Sequence, residues 1–357
     1  MTGLFGVSML SAALCVLSVL VLRPLALRHG LLDRPGGRKW HHGEIPLVGG
    51  IAISVTLLIL AMLFAVARGH YLALMAGITI LTVVGVVDDL RGIAPVPKLC
   101  AQLFAAILMT SWGNIYITSL GSIVGQSEVL LHNFGIPLTI FAVVAVINAI
   151  NMVDGMDGLA GGLALIVFAW MAYLAALIGN PAAQWLSVVF CGALFGFLFF
   201  NMRNPLRRKA RVFLGDAGSL MLGYGMVWFA VELSQGSYNS GRHVSPVVML
   251  WVMGFILMDL LVVVVRRLIK RRNPLLADRS HLHHILLRMG IPEGAVVWLM
   301  LSSNALLGFI GVAGWQMGLS DRVLFLGFMG VTLIHLLVMR SAWRVVRFWR
   351  RFFLKTH

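Results

Sequence analysis

Charged residues are scarce in this sequence. They make up 11% of its 357 residues, and only 13 residues are aspartate or glutamate, whereas soluble globular domains carry about 25% charged residues. This scarcity excludes an ordinary soluble domain. The hydrophobic content is 60% and the mean hydropathy is +0.93, and together they indicate an all-α, polytopic integral membrane protein.

Cysteine is also rare, with three residues in the whole chain, Cys15, Cys100 and Cys191. They are isolated within apolar runs, which excludes a disulfide framework and a zinc site of standard spacing. The sequence lacks an internal repeat and a low-complexity linker, so we expect one transmembrane domain over residues 1–357. It also lacks a basic segment before its first apolar run, which predicts a retained span and not a cleaved signal peptide.

A membrane-spanning helix needs about 20 consecutive apolar residues, and eleven segments approach this length. The segment 99–118 is the weakest, because Ser111, Gly113 and Asn114 dilute it. An odd number of spans places the two ends on opposite sides of the membrane. The predicted spans are 4–27, 47–67, 70–87, 99–118, 134–152, 159–179, 184–200, 212–233, 246–265, 295–316 and 323–339.

The net charge of +15 could indicate either a nucleic-acid partner or a lipid bilayer. The distribution of the basic residues favours the bilayer, because they are concentrated in alternate connections between the predicted spans. By the positive-inside rule the basic side is cytoplasmic, which places the N-terminus outside and the C-terminus inside. The basic connections contain Arg28–Lys39, Arg91 and Lys98, Arg203–Arg211, Arg266–Arg288 and Arg340–Lys355, and the others contain Arg68, Arg242 and Arg322.

The most informative stretch is Asn148–Leu159, which follows the apolar run Ile140–Ile147. Four polar residues recur there at steps of three: Asn148, Asn151, Asp154 and Asp157. Gly155 and Gly158 favour a departure of the backbone from the helix, so we expect the carboxylates at the mouth of a membrane helix. A capped helix end would explain one acid there. Four polar groups in this spacing favour ion or phosphate chemistry.

Two adjacent acids, Asp88 and Asp89, follow the apolar run Val83–Val87, and Lys98 comes nine residues after the second acid. Neighbouring helical positions point about 100° apart. We therefore expect separate roles, with one acid facing a metal or phosphate and the other holding a structural partner. A solvated helix end would explain the pair if it stood alone.

The basic connection after Asn201 ends in Gly215-Asp216-Ala217-Gly218-Ser219. Such an element at the start of a helix presents backbone N–H groups and a carboxylate together, and a metal-bound pyrophosphate requires both. Taken alone, the element is explained equally well by Asp216 as a simple helix N-cap.

Two further connections are polar. Leu32–Gly50 is basic, aromatic and glycine-bearing, which suits an anionic headgroup and equally suits a loop that only sets topology. Arg266–Gly294 contains Asp278-Arg279-Ser280-His281-Leu282-His283-His284. Its histidine spacing fits no standard zinc pattern and favours hydrogen bonding to a phosphate or sugar. Asp259, seven residues before Arg266, is expected to form an ion pair with it.

In this order, Asp88-Asp89, Asn148–Gly158, Gly215–Ser219 and His281–His284 resemble the motifs of the polyprenyl-phosphate N-acetylhexosamine-1-phosphate transferases. The resemblance covers nearly the whole chain and is closest to the bacterial branch that starts enterobacterial common antigen and O-antigen synthesis. It implies transfer of GlcNAc-1-phosphate from UDP-GlcNAc to undecaprenyl phosphate, with release of UMP, at the bacterial inner membrane. It also implies Mg²⁺, or Mn²⁺, as the cofactor. A homodimer is left open.

The resemblance further implies a role for each residue. Asp216 would be the main Mg²⁺ ligand, with Asn151 or Asp154 near the metal. Asp88 would deprotonate the lipid phosphate, and Asp89 would support that acid and the metal. The remaining implied residues are Lys98, Arg279, His281, His283 and His284 at the pyrophosphate and sugar, Asn148 and Asn201 lining the site, and Asp157 among the catalytic acids.

Two other classes of protein compete with this interpretation. An ion-coupled transporter would place its acids near mid-bilayer at discontinuous helices, whereas here, apart from Asp259, they cluster at helix mouths on one side. A lipid-binding scaffold would need the basic loops but not four separate acid and amide motifs. Within the transferase class, another UDP-N-acetylhexosamine is the alternative donor.

Overall fold

The computed structural model describes residues 2–33, 44–66, 68–203, 209–236, 243–269, 271 and 282–341. Most of these residues lie in helices and very few lie in strands, which confirms the all-α prediction. They divide into two compact units, the first comprising Met1–Ser119 and Leu130–Pro246 and the second Leu120–Val129 and Val247–His357. The single domain over residues 1–357 stays a prediction.

The first unit is a bundle of apolar helices. Its described helices are α1 (Thr2–His29), α2 (Gly49–Leu63), α3 (Tyr71–Arg91), α4 (Pro95–Ile107), α5 (Gly135–Val153), α6 (Leu159–Leu177), α7 (Pro181–Asn201) and α8 (Gly215–Gln235). A π-helical turn, Leu108–Trp112, extends α4, and a 3-10 turn, His132–Phe134, precedes α5. Two short antiparallel strands, β1 (Leu32–Asp33) and β2 (Ile45–Pro46), lie between α1 and α2.

The second unit contains α9 (Pro246–Val252), α10 (Gly254–Ile269), α11 (Leu282–Arg288), α12 (Glu293–Gln316) and α13 (Asp321–Arg340). A buried cluster of Val262, Ile285, Met289 and Met339 packs the short α11 against α10 and α13. Asp259 is buried in α10 and accepts a hydrogen bond of 3.4 Å from the backbone N–H of Leu282 at the start of α11. Its predicted ion pair with Arg266 stays a prediction.

All eleven predicted spans contain helix, but the count of eleven membrane crossings is not confirmed. Seven described helices are long and apolar enough to cross a membrane: α1, α3, α5, α6, α7, α12 and α13. An eighth crossing is made if α9 and α10, which meet at an angle of 84°, form one broken span. The other three segments correspond to the 15-residue α2, the 13-residue α4 and the less apolar α8.

Helix α8 lies at the centre of the first unit, where nearly all of its residues are buried against α2, α3, α5 and α6. Glycine permits the closest of these contacts. A Cβ added to Gly50 of α2 would lie 2.1 Å from the backbone nitrogen of Gly218, and one added to Gly85 of α3 would lie 2.3 Å from the Cα of Ala217. Two neighbouring helices therefore reach the backbone at the N-terminus of α8.

The start of α2 also pairs with the segment that leads into α8. The backbone N–H groups of Gly49 and Gly50 donate to the carbonyls of Phe213 and Leu214 at 3.0 and 2.9 Å, and the N–H of Phe213 donates to Pro46. These amides are used within the protein. For this part of Leu32–Gly50 the contacts favour a structural role over an anion site.

Candidate active site

The carboxyl end of α3 carries Asp88 and Asp89, whose side chains have different partners. Asp88 forms an ion pair with Lys98 of α4 and accepts a hydrogen bond of 2.6 Å from the backbone N–H of Ile93. Asp89 accepts hydrogen bonds from the backbone N–H of Asp216 at 3.0 Å and of the next residue at 3.4 Å. The first N–H groups of a helix have no partner within it, so Asp89 caps α8. Asp89 therefore holds the structural partner that we expected of one acid of the pair, and its catalytic role stays a prediction.

Gly215 makes room for this cap. Its φ of +74° lies in the left-handed region, which favours glycine, and a Cβ there would lie 2.5 Å from Oδ2 of Asp89. The helix receives its capping carboxylate from α3, and the alternative in which Asp216 is the N-cap of its own helix is wrong. The side chain of Asp216 is therefore left for other contacts.

Those contacts bring three helices together. Oδ2 of Asp216 accepts a hydrogen bond of 2.5 Å from Nζ of Lys98, and Oδ1 accepts one of 2.8 Å from Nδ2 of Asn151 on α5. Asn151 also donates to Oγ of Ser219 at 2.9 Å. The ammonium group of Lys98, with only 20% of its side chain exposed, thus lies between the carboxylates of Asp88 and Asp216.

Asp154 adds a further carboxyl group to this region. Helix α5 ends at Val153, Asp154 is the first residue beyond it, and Gly158 adopts a φ of +82° just before α6. The predicted departure of the backbone from the helix is confirmed. Burial, reinforced by the negative charges of Asp216 and Asp89, raises the pKa of Asp154 to about 8. A carboxyl group with a pKa near neutral can take up or release a proton under working conditions.

The loop between α5 and α6 is held by residues at the end of α7. Oδ2 of Asp157 accepts a hydrogen bond of 2.6 Å from Nε of Arg203. The side chain of Asn201 accepts a hydrogen bond of 2.8 Å from the backbone N–H of Gly158 and donates one of 2.9 Å to the carbonyl of Val212. Arg203 is absent from the predicted site, because no local spacing links it to an acid 46 positions earlier.

Asn148 lies one turn before Asn151 on α5 and contacts a different helix. Its Nδ2 donates to Oε1 of Gln102 and to the carbonyl of Val144, both at 2.7 Å. This pair of amides joins α5 to α4, the helix that carries Lys98. The predicted role of Asn148 in ligand binding stays a prediction.

The predicted basic and histidine residues after α10 are only partly described. Arg279 and His281 lie outside the described residues, as does the side chain of His284. His283 belongs to α11 of the second unit, where its side chain is buried. Their predicted contacts with pyrophosphate and sugar stay predictions.

The described acids suit one kind of metal site. Mg²⁺ takes oxygen ligands and is usually held by one or two carboxylates together with water and substrate phosphates. Asp88 and Asp216, on either side of Lys98, offer such oxygens. Among the residues that the structure describes, no group of three or more histidine, cysteine, aspartate or glutamate side chains could hold a metal by itself. Two carboxylates would supply part of the ligands of such an ion, and water and substrate phosphates would supply the rest.

The fold and the site together define a multi-pass membrane protein in which acids, a lysine and an asparagine from several helix ends form one polar centre. Comparison with known sequences identifies the particular family. Residues 71–234, which include every acid from Asp88 to Asp216, match glycosyl transferase family 4.

Similar proteins match almost the full length of the chain. The undecaprenyl-phosphate alpha-N-acetylglucosaminyl 1-phosphate transferase of Haemophilus influenzae is 36% identical over 337 residues, which cover 94% of both chains. The proteins of the same name from Pasteurella multocida and Escherichia coli K12 are 33% and 34% identical, over 94% and 92% of this chain and 93% and 89% of their own. The chain belongs to glycosyl transferase family 4, as its motifs predicted.

Proposed function

We propose that the protein transfers GlcNAc-1-phosphate from UDP-GlcNAc to undecaprenyl phosphate and releases UMP. The observation that carries this proposal is the arrangement of Lys98 between Asp88 and Asp216, in a chain whose relatives are named for this transfer. An oxygen of the lipid phosphate bonds to the sugar-bearing phosphorus of UDP-GlcNAc. The bond from that phosphorus to the bridging oxygen breaks, and UMP leaves with the bridging oxygen.

Both reactants are anions, so charge neutralisation and positioning should provide most of the catalysis. The ammonium group of Lys98 carries three N–H donors and is held where α3, α4 and α8 meet, so it can bind a diphosphate oxygen. Asp88, the other carboxylate beside this lysine, would accept the proton of a monoanionic lipid phosphate. Asp216 would hold Mg²⁺, with Asn151 or Asp154 nearby. When bound, the metal ion would supply further positive charge to the transferred phosphate.

We place the protein in the bacterial inner membrane, with its N-terminus in the periplasm and its C-terminus in the cytoplasm. The alternation of basic connections supports this orientation, and UDP-sugars are made on the cytoplasmic side. The lipid-linked product would start a surface polysaccharide such as O-antigen or enterobacterial common antigen. An ion-coupled transporter is not favoured, because Asp88, Asp89 and Asp216 lie at helix ends.

The test is the identity of the released nucleotide. Detergent-purified protein is incubated with Mg²⁺, polyprenyl phosphate and UDP-GlcNAc labelled in the uridine, and the products are separated. We expect labelled UMP and, with preformed lipid-linked product, exchange of labelled UMP back into UDP-GlcNAc. Release of UDP would overturn the proposal, because it means that the sugar is transferred without its phosphate. A panel of UDP-N-acetylhexosamines identifies the preferred donor.

A further inference from the structure

The end of α7 joins the two loops that lead to Asp154 and Asp216. The junction is one side chain, that of Asn201, which is 6% exposed. Its carbonyl oxygen accepts from the N–H of Gly158 at 2.8 Å, and its amide nitrogen donates to the carbonyl of Val212 at 2.9 Å. A single planar amide thus bridges two backbone segments that are 54 residues apart in the sequence.

Each of these segments adjoins one of the two carboxylates Asp154 and Asp216. Gly158 closes the loop that begins at Asp154, and its φ of +82° leaves the backbone N–H pointing to Asn201. Val212 lies four residues before Asp216, at the start of the segment whose next residues pair with the beginning of α2. If the bridge is lost, each loop can shift separately, and the distance between the two carboxylates is no longer fixed at this point.

We infer that Asn201 is a positioning residue for the transfer reaction, which acts by fixing Asp154 relative to Asp216. The inference rests on the proposed function. A side chain whose two polar ends both bond to backbone groups can act on the rate without touching either substrate. Small displacements of catalytic groups can cost about a hundredfold in rate. Removal of the Asn201 side chain also leaves two buried backbone groups without this partner, which lowers stability, so the test needs a control variant with a similar loss.

Asn180 provides a matched control. It flanks the other end of α7, is also 6% exposed, and also accepts from a backbone N–H, that of Ala183 at 3.0 Å. Its Nδ2 donates to Oε1 of Glu232 at 3.1 Å, near the opposite end of α8 from Asp216. Asn180→Ala and Asn201→Ala therefore remove similar numbers of buried hydrogen bonds from the two ends of one helix.

The experiment compares both variants with the unsubstituted protein in melting temperature, kcat, KM for UDP-GlcNAc and amide hydrogen exchange. We expect similar falls in melting temperature. Asn201→Ala should lose at least about tenfold in kcat, keep its KM within about threefold, and exchange faster over residues 154–160 and 209–216. Asn180→Ala should keep its kcat and its exchange rates over both segments.

Equal losses of kcat in the two variants would overturn the inference, because they would reflect stability alone. A raised KM with unchanged kcat would also overturn it and make Asn201 a substrate contact. If Asn201→Ala does not fold, Asn201→Asp replaces it, because this variant keeps the acceptor for Gly158 and removes the donor to Val212. We then expect a lower kcat and faster hydrogen exchange confined to residues 209–216. Unchanged values of both would count against the bridge. If the unsubstituted protein releases no UMP, the proposed function fails, and the exchange data still test the bridge.

Discussion

The carboxylate of Asp89 accepts a hydrogen bond of 3.0 Å from the backbone N–H of Asp216. One acid of the site therefore fixes the backbone that presents another. Because the bond uses the backbone, the side chain of Asp216 can bond to Lys98 and Asn151 at the same time. A substitution at Asp89 should consequently be felt at Asp216.

Removing the carboxylate of Asp89, which caps α8, should destabilise the protein. A variant that keeps one acceptor oxygen should be destabilised less. Asp89→Ala leaves the first N–H groups of α8 without this partner, and the loss of such a cap costs about 1 kcal/mol. Asp89→Asn keeps an acceptor oxygen and should recover more than half of that loss. Thermal unfolding in detergent measures both variants. Equal destabilisation by alanine and asparagine would contradict the capping role.

Asp216→Asn should separate catalysis from folding. The variant keeps the size of the side chain and one acceptor oxygen, but it loses the negative charge beside Lys98 and the second acceptor, so it cannot accept from both Lys98 and Asn151. We expect near-normal thermal stability and a loss of at least about a hundredfold in turnover, on the order of 3 kcal/mol of transition-state stabilisation. The Mg²⁺ or Mn²⁺ concentration for half-maximal rate should rise. A folded variant with normal turnover and unchanged metal dependence would place the metal on another acid.

Asp154 should make the stability of the metal-free protein depend on pH. Its pKa is raised from an ordinary 3.8 to about 8 in the folded state, so the folded state binds the proton more tightly than the unfolded state does. Its contribution to stability is full below about pH 4 and is lost as the pH rises towards 8. In the absence of divalent ions, the melting temperature of Asp154→Asn should depend less on pH over this range. If the melting temperature changes equally with pH in both proteins, Asp154 is not the group responsible.

A methyl group at Gly50 should disrupt the contact between α2 and α8. The added Cβ of Gly50→Ala would lie 2.1 Å from a backbone nitrogen, and overpacking of this kind costs about 1–3 kcal/mol or more. Gly6→Ala is the control, because it lies in α1 with nothing within 4 Å of the added Cβ and should gain up to about 1 kcal/mol. The test compares the thermal unfolding midpoints of the two variants. Similar midpoints would mean that α2 can move away from α8 without a loss of stability.

Cysteine labelling in intact cells should locate the site on the cytoplasmic side. The background variant has Cys15, Cys100 and Cys191 replaced by serine. Ala94→Cys, in the exposed connection beside Asp88, should react with an impermeant maleimide only after the cells are permeabilised. Ser127→Cys is exposed in the connection between the predicted spans 99–118 and 134–152. The alternation of basic connections places this connection outside, so the cysteine should react from outside. Reaction of the residue at 94 from outside would place the site away from cytoplasmic UDP-sugars.

Hydropathy alone was enough to predict the longer helices, because each apolar run had to satisfy its backbone groups in lipid. It did not predict the seven-residue α11, which lies in the connection Arg266–Gly294. It could not give the number of membrane crossings. Helix α2 has 15 residues, most of them buried, and a helix that packs against other helices needs neither the full length nor the full apolarity of a lipid-facing span. Helix α4 has 13 residues and continues in the π-helical turn Leu108–Trp112. Apolar runs of both kinds look alike in a sequence.

The acids of the site were predictable, but most of their partners were not. A charged residue beside an apolar run is energetically costly and usually has a function. This made it possible to predict Asp88, Asp154 and Asp216. The pairing of Asp157 with Arg203 and of Gly158 with Asn201 depends on how α7 packs against α6, and no local spacing records it. Partners of this kind are set by tertiary packing.

The buried position of α8 also bears on how the protein is inserted during synthesis. This helix is less apolar than the seven that could cross a membrane on their own composition, and it carries the buried acid Glu232. The four helices that enclose it, α2, α3, α5 and α6, all precede it in the chain. When α8 leaves the ribosome, the surfaces that will cover it have already been made, and the helix can enter the membrane by joining its neighbours instead of dissolving in lipid.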